Sequence, residues 1–201
     1  MIDFIHIPKN AGSSIKNICD NTSNLIYKGH QHDPLNSINN TLIIIRNPID
    51  RFCSAIRYAL QQYSDEPVIQ ELIQKNITTP SKWIEIMQNQ YHEHYDLLMQ
   101  EIYNKSHYIG KMKLIFKWTY SPQSLWITNP NYVILFENIE KEMRYFCKKH
   151  KINFQILKIN QTIKEFENNL TNDEIEYLKK IYSKDFELYD YYKSLSIYER
   201  L

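Results

Sequence analysis

Apolar positions along the chain fall into short runs of two kinds. Ile2, Phe4, Ile5 and Ile7 make a run of strand length that stops at Pro8, which cannot donate to a sheet ladder. Past a stretch of small residues, Ile15, Ile18 and Cys19 recur at i, i+3 and i+4, one face of a helix. Asn24–Lys28 reads as a short strand and Gly29–Pro34 as a loop. Thr41–Ile45 is rich in β-branched residues and predicts a strand buried on both faces, as in a parallel sheet. Pro48 suits the first turn of the helix that follows, with Phe52, Ile56 and Leu60 at four-residue steps. Residues 51–63 and 66–75 read as helices, and Ser81 is expected to cap another that carries Trp83, Ile84 and Met87. Residues 91–120 are aromatic-rich and resist assignment. Asn131–Phe136 predicts a further buried strand and Glu140–His150 a helix, while Thr171-Asn172-Asp173-Glu174 is a capping box opening one last long helix. Strands alternating with helices imply an α/β fold, a parallel sheet covered on both faces. No linker or repeat interrupts it, so residues 1–201 are expected to form a single domain.

Two strand ends carry the candidate chemistry. Lys9-Asn10-Ala11-Gly12-Ser13-Ser14 lies between the first strand and the first helix. A helix N-terminus offers unpaired N–H groups and a positive dipole end to an anion. Ser13 and Ser14 add hydroxyl donors, and Lys9 adds a point charge. The order is not that of a Walker A loop: Lys9 precedes Gly12, and a chain with 3 glycines holds no GxGxxG. Alone, the segment also reads as a plain turn of small residues. Arg46, at the end of the β-branched run, gives it a partner. Its planar fork can donate two parallel hydrogen bonds to a phosphate. Ser54 follows about two helical turns on, near enough to share a ligand. Ligands of parallel sheets bind outside the carboxyl ends of the strands, where Lys9 and Arg46 both fall.

These segments resemble a known family. His6-Ile7-Pro8-Lys9-Asn10-Ala11-Gly12-Ser13-Ser14 is similar to the 5′-phosphosulfate loop of the carbohydrate sulfotransferases, commonly HIPKTGGTS, with Asn10 and Ala11 replacing the usual Thr and Gly. Arg46-Asn47-Pro48-Ile49-Asp50-Arg51-Phe52-Cys53-Ser54 is similar to their 3′-phosphate motif, RNPxDRxxS. Pro122–Trp126, Val133–Asn138, Asn160-Gln161-Thr162 and Leu178–Tyr189 resemble later family segments, the last a C-terminal helix; the middle of the chain matches poorly. The type resembled is the heparan sulfate 2-O-sulfotransferase.

The resemblance implies a P-loop-like sheet and a donor, 3′-phosphoadenosine-5′-phosphosulfate (PAPS), which leaves 3′-phosphoadenosine 5′-phosphate (PAP). By analogy with phosphoryl transfer, the sulfuryl group needs an in-line acceptor, a neutralised leaving phosphate and a base. Lys9, Asn10, Ala11, Gly12, Ser13 and Ser14 would hold the 5′ end, with Lys9 countering charge on the leaving phosphate. Arg46 and Ser54 would hold the 3′-phosphate, and Asn160 would contact the nucleotide. The acceptor is expected to be a carbohydrate hydroxyl. Family members often place a histidine after a glycine at the position of Gly29-His30, so His30 is expected to be the base, with His32 as its competitor two residues on. No metal is implied, since fixed cations supply the charge.

Composition narrows the picture further. A formal charge of +1 argues against a polyanion-binding surface such as one for nucleic acid. No apolar run approaches the roughly 20 residues of a transmembrane helix, and Asp3, Lys9 and Gly12 interrupt any signal-peptide pattern, so a cytoplasmic enzyme is expected. Cys19, Cys53 and Cys147 lack metal or redox spacing and are expected to be reduced.

Other constellations read more plainly. His92-Glu93-His94 looks like a metal patch, but alternating residues of a helix point apart, which favours a solvated face. His30-Gln31-His32-Asp33 lacks a fourth zinc ligand. Trp83, Trp118 and Trp126 read as core before sugar platforms. Glu137 either helps position an acceptor or caps the sheet end. Two other function classes stay open: a kinase-like nucleoside-phosphate transferase, disfavoured by the reversed lysine, and a nucleotide-binding relic without catalysis.

Overall fold

A computed structural model describes residues 1–29, 40–103, 120–127, 129–154 and 169–201. The chain packs as two compact units: residues 1–48, 123–160 and 184–201 form one, and residues 49–122 and 161–183 the other.

The first unit holds the sheet. Strands β1 (Ile2–Ile5), β2 (Leu25–Tyr27), β3 (Asn40–Ile45) and β4 (Tyr132–Leu135) form one four-stranded sheet in the order β2-β1-β3-β4, with every pairing parallel. Ile2 stands opposite both Leu25 and Asn40, and Ile43 opposite Val133. Both faces are buried, as the unbroken apolar runs require: Phe4, Leu42 and Ile44 point one way, Ile5, Ile43 and Ile45 the other. Helix α1 (Gly12–Cys19) joins β1 to β2, and α6 (Ile139–Lys149) follows β4. Ile15, Ile18, Met143, Phe146 and Cys147 from these helices join Phe4, Leu42, Ile44 and Ile134 in one core cluster. Fully burying a side chain of this size contributes about 1.5–3 kcal/mol. Arg200, in the short α9 (Ile197–Arg200), makes a buried two-bond pair with Glu142 at 2.7 and 2.8 Å, and Glu142 also accepts from the Leu135 N–H. Each charge there is met by the other, the condition for burying both.

The second unit is helical: α2 (Pro48–Gln62), α3 (Pro67–Gln74), α4 (Pro80–Gln88), α5 (Tyr95–Tyr103) and α7 (Asn172–Ile181). Tyr120 is its hub. Its ring meets Phe52 and Trp83 edge-on, its hydroxyl donates to Leu98 O, and its carbonyl accepts from Tyr182.

Several expected boundaries shift. The cap of α4 is Thr79, whose hydroxyl accepts from the Lys82 N–H, because Pro80 takes the first helical position; Ser81 lies inside. Part of the unassigned 91–120 stretch is helical, as α5. Phe136 leaves the expected strand for a 3₁₀ turn, Phe136–Asn138. The capping box at Thr171 and Glu174 forms, but the last helix is two: α7 ends at Tyr182 (φ −100°, ψ 27°) and α8 (Ser183–Ser194) begins anew. Tyr182 is buried, its N–H still donating to Leu178 O at 2.8 Å while its phenol donates to Tyr120 O at 2.6 Å. Trp83 and Trp126 are fully buried core residues; Trp118 lies outside the described residues. The three cysteines are buried thiols, and burial pushes the Cys19 thiol up to about 12 and that of Cys147 to about 11. Among the described residues, no helix is long and apolar enough to cross a membrane.

Candidate functional site

The loop after β1 is built from two left-handed residues. Lys9 has φ 67° and Ala11 φ 60°, ψ 21°. A left-handed conformation costs a residue with a Cβ about 1–2 kcal/mol, so the surroundings must hold it. Asn10 does much of that holding. It is 1% exposed, and its Nδ2 donates to Ile44 O at 2.8 Å and to Gln123 Oε1 at 3.1 Å. Its side chain therefore fixes the loop to β3 rather than facing solvent. Ala11 is the N-cap of α1 and brings no side-chain oxygen to the first N–H groups, which a preferred cap residue would occupy. Ser13 is exposed; Ser14 is buried, its N–H turned to Ala11 O at 3.0 Å.

Gly12 is required by close approach. A Cβ there would stand 1.8 Å from His6 Cδ2 and 1.9 Å from His6 Nε2. His6 in turn is hydrogen-bonded through Nδ1 to the Tyr27 hydroxyl at 2.7 Å.

Arg46 is gripped on three sides. Its backbone N–H donates to Gln123 Oε1 at 3.2 Å, and its carbonyl accepts from Gln123 Nε2 at 2.8 Å. Its Nη1 reaches Lys9 O at 3.3 Å, and its guanidinium lies 4.3 Å over the Phe136 ring. Asp185 holds Gln123 in place by accepting from the Gln123 and Ser124 N–H groups at 2.7 and 2.8 Å. The two strand-end loops thus meet on one buried amide. Glu137 accepts from the Asn47 N–H at 2.8 Å, so its carboxylate caps the chain just before α2.

The expected residues divide accordingly. Lys9, Asn10, Ala11, Gly12 and Arg46 come together around the ends of β1 and β3. Ser54 is buried on α2, in the second unit. Its neighbour Arg51 is 1% exposed and donates to Ser121 O at 2.6 Å, so the second arginine of the motif holds main chain. His30, His32 and Asn160 lie outside the described residues. Sequence reasoning gave no role to Gln123, His6 or Tyr27; the polar Gln123 inside an otherwise unassigned matching segment was the available signal.

The His92–His94 stretch is not helical, contrary to the reading that dismissed it. It is a turn before α5, where Glu71, Glu93 and the buried His94 converge. Lys75 already supplies a cation there, with Nζ 2.7 Å from Glu71 and 2.5 Å from Glu93.

No curated protein and no solved structure matches the chain. The model of the sulfotransferase family matches residues 2–192. With a parallel sheet whose two strand-end cation loops are locked to each other, the chain belongs to the sulfotransferase family.

Proposed function

We propose that this sulfotransferase moves a sulfuryl group from PAPS to a hydroxyl of a carbohydrate by in-line displacement, with His30 as the base. One observation carries the donor assignment: the Lys9–Ser14 loop and Arg46 share the Gln123 amide, so two anion-binding elements have a fixed separation. A donor with phosphates at both ends suits such a pair. The residues fit it: the uncapped start of α1 leaves N–H groups for the 5′ end, and Arg46 keeps its guanidinium beside the loop.

PAPS supplies the activated sulfuryl group. Lys9 and the first N–H groups of α1 counter the charge that grows on the departing 5′-phosphate. Arg46 holds the 3′-phosphate, with Ser54 joining it by the motif RNPxDRxxS. Asn160 contacts the nucleotide. His30 takes the acceptor proton as the new bond forms, and His32 orients the hydroxyl. Gly29, directly before His30, accepts from the His6 N–H at 2.9 Å at the carboxyl end of β1, which supports a base acting beside this loop.

The test of the donor is the melting temperature with PAP against that with AMP. PAP at about 100 times its dissociation constant should add roughly 2.7 kcal/mol. Equal stabilisation by AMP sinks the 3′-phosphate assignment. For the base, His30→Ala should lose at least about 10²-fold in rate with PAP affinity unchanged. That loss in His32→Ala instead moves the role by two residues.

A further inference from the structure

Glu71, Lys75, Glu93 and His94 all lie in the second unit and share no residue with the donor site. Glu71 and Lys75 stand about one helical turn apart at the end of α3. His94 directly precedes α5, and its carbonyl accepts from the Leu98 N–H at 3.1 Å. The residue is 6% exposed, and its Nε2 is buried without a hydrogen bond. That nitrogen faces two carboxylates, 3.5 Å from Glu71 Oε1 and 3.9 Å from Glu93 Oε1. One ligand atom from each of the three residues falls within 4.8 Å of the other two. Buried polar atoms are almost always bonded, so an orphaned nitrogen facing two anionic oxygens points to a ligand between them. Lys75 meets only part of that need. Its Nζ reaches the same two oxygens at 2.7 and 2.5 Å and leaves the imidazole nitrogen unbonded.

We propose that Glu71, Glu93 and His94 form a zinc site, with water as the fourth ligand and the Lys75 ammonium as a displaceable occupant. Two ligands of a tetrahedral zinc, each about 2.0–2.2 Å from the ion, stand about 3.3–3.5 Å apart. The 3.5 Å pair already has that spacing, and the 3.9 Å pair reaches it by a small rotation of the exposed Glu93 side chain. One imidazole with two carboxylates suits zinc better than calcium or magnesium, which take oxygen ligands. His92 is not the fourth ligand: its Nδ1 accepts from the His94 N–H at 3.1 Å, which leaves the proton of the neutral ring on Nε2. Lys75 is exposed on a flexible stem and can swing to solvent, while a divalent ion meets both carboxylates with twice its charge. The ion joins α3 to the turn before α5. It stiffens the helical unit and takes no part in sulfuryl transfer.

The experiment titrates the full chain, tag-free and stripped with EDTA, with zinc chloride by calorimetry, and reads the melting temperature with and without the ion. One equivalent should bind and raise the melting temperature. Glu71→Gln, Glu93→Gln and His94→Gln should each weaken binding at least about tenfold, the least that disturbing even an outer partner of a metal ligand costs. Lys75→Met should bind zinc more tightly than wild type, because the competing ammonium is gone. Zinc that neither binds nor raises the melting temperature leaves only an ion-pair network and overturns the proposal. Binding that survives all three glutamine variants belongs to another part of the chain and overturns it too. So does a Lys75→Met protein that melts lower and gains no affinity for zinc. Should His94→Gln fail to fold, the two glutamate variants decide, since both side chains reach solvent and tolerate the change.

Discussion

The side chain of Gln123 pairs with the backbone of Arg46 as one strand pairs with another, donating to its carbonyl at 2.8 Å and accepting from its N–H at 3.2 Å. The same Oε1 accepts from Asn10 at 3.1 Å. Gln123 is 1% exposed, so truncation leaves buried groups unsatisfied. Each such group costs about 1–3 kcal/mol. Gln123→Ala should therefore lower stability in urea by at least that much and weaken PAP more than AMP, because the grip on Arg46 loosens. Gln123→Glu should do the same, since it sets a carboxylate oxygen against the Arg46 carbonyl. Paired urea melts and PAP titrations check this; unaltered discrimination between the two nucleotides overturns it.

Ala11 is a mild mismatch at a left-handed position, with φ 60°. Ala11→Gly removes a strain of about 1–2 kcal/mol but loosens the unfolded chain by about 0.4–1 kcal/mol. The net expectation is a gain between zero and about 1.6 kcal/mol, at roughly 2–4 °C in Tm per kcal/mol for a chain of this size. Calorimetric melting of the two proteins measures it, and a lower Tm in the glycine variant contradicts the account.

These two cases show what the sequence makes legible. Strand identity was readable because a sheet buried on both faces demands unbroken apolar runs, as in Leu42–Ile45. The loop after β1 was readable as a candidate anion site because small residues and a lysine sit where such a run ends. Gln123 was not, since its importance comes from bonds to Asn10 and Arg46, residues far away along the chain. The break at Tyr182 was hidden too: local periodicity continues through it, and its phenol is committed to a carbonyl far away along the chain, Tyr120 O. Arg51 shows the converse, a motif residue whose fork would suit a phosphate but is committed to Ser121 O.

His150 gives the protein a predicted acid sensitivity. Its ring packs 4.5 Å from Phe146 and 4.8 Å from Tyr132, and burial, then the charge of Lys149, holds its pKa below the ordinary value. The unfolded chain has an imidazole near pKa 6.5. Between the folded and unfolded values the unfolded state binds more protons, so stability falls as pH drops below about 6.5 and levels off once the folded pKa is passed. His150→Gln should flatten the fall in Tm from about pH 7 to about pH 5.5, a window above most carboxylate titration. An equally steep fall in the variant places the sensitivity elsewhere.

Lys9 offers the cleanest separation of binding from chemistry, because its backbone and side chain have different duties. The carbonyl accepts from Arg46 Nη1 at 3.3 Å and helps fix the loop, a bond that Lys9→Ala retains. The variant therefore removes the ammonium and leaves the link between the loops in place. If that charge matters chiefly as the 5′-phosphate departs, kcat should fall by about 10²–10³ while PAP affinity changes only several-fold. Turnover of the wild type should be insensitive to EDTA, and ATP with Mg²⁺ should not replace PAPS. Parallel losses in kcat and affinity would make Lys9 a ground-state binding residue. A strict Mg²⁺ requirement with ATP as donor would instead favour kinase-like chemistry, since a metal ion, not Lys9, would then neutralise the leaving group.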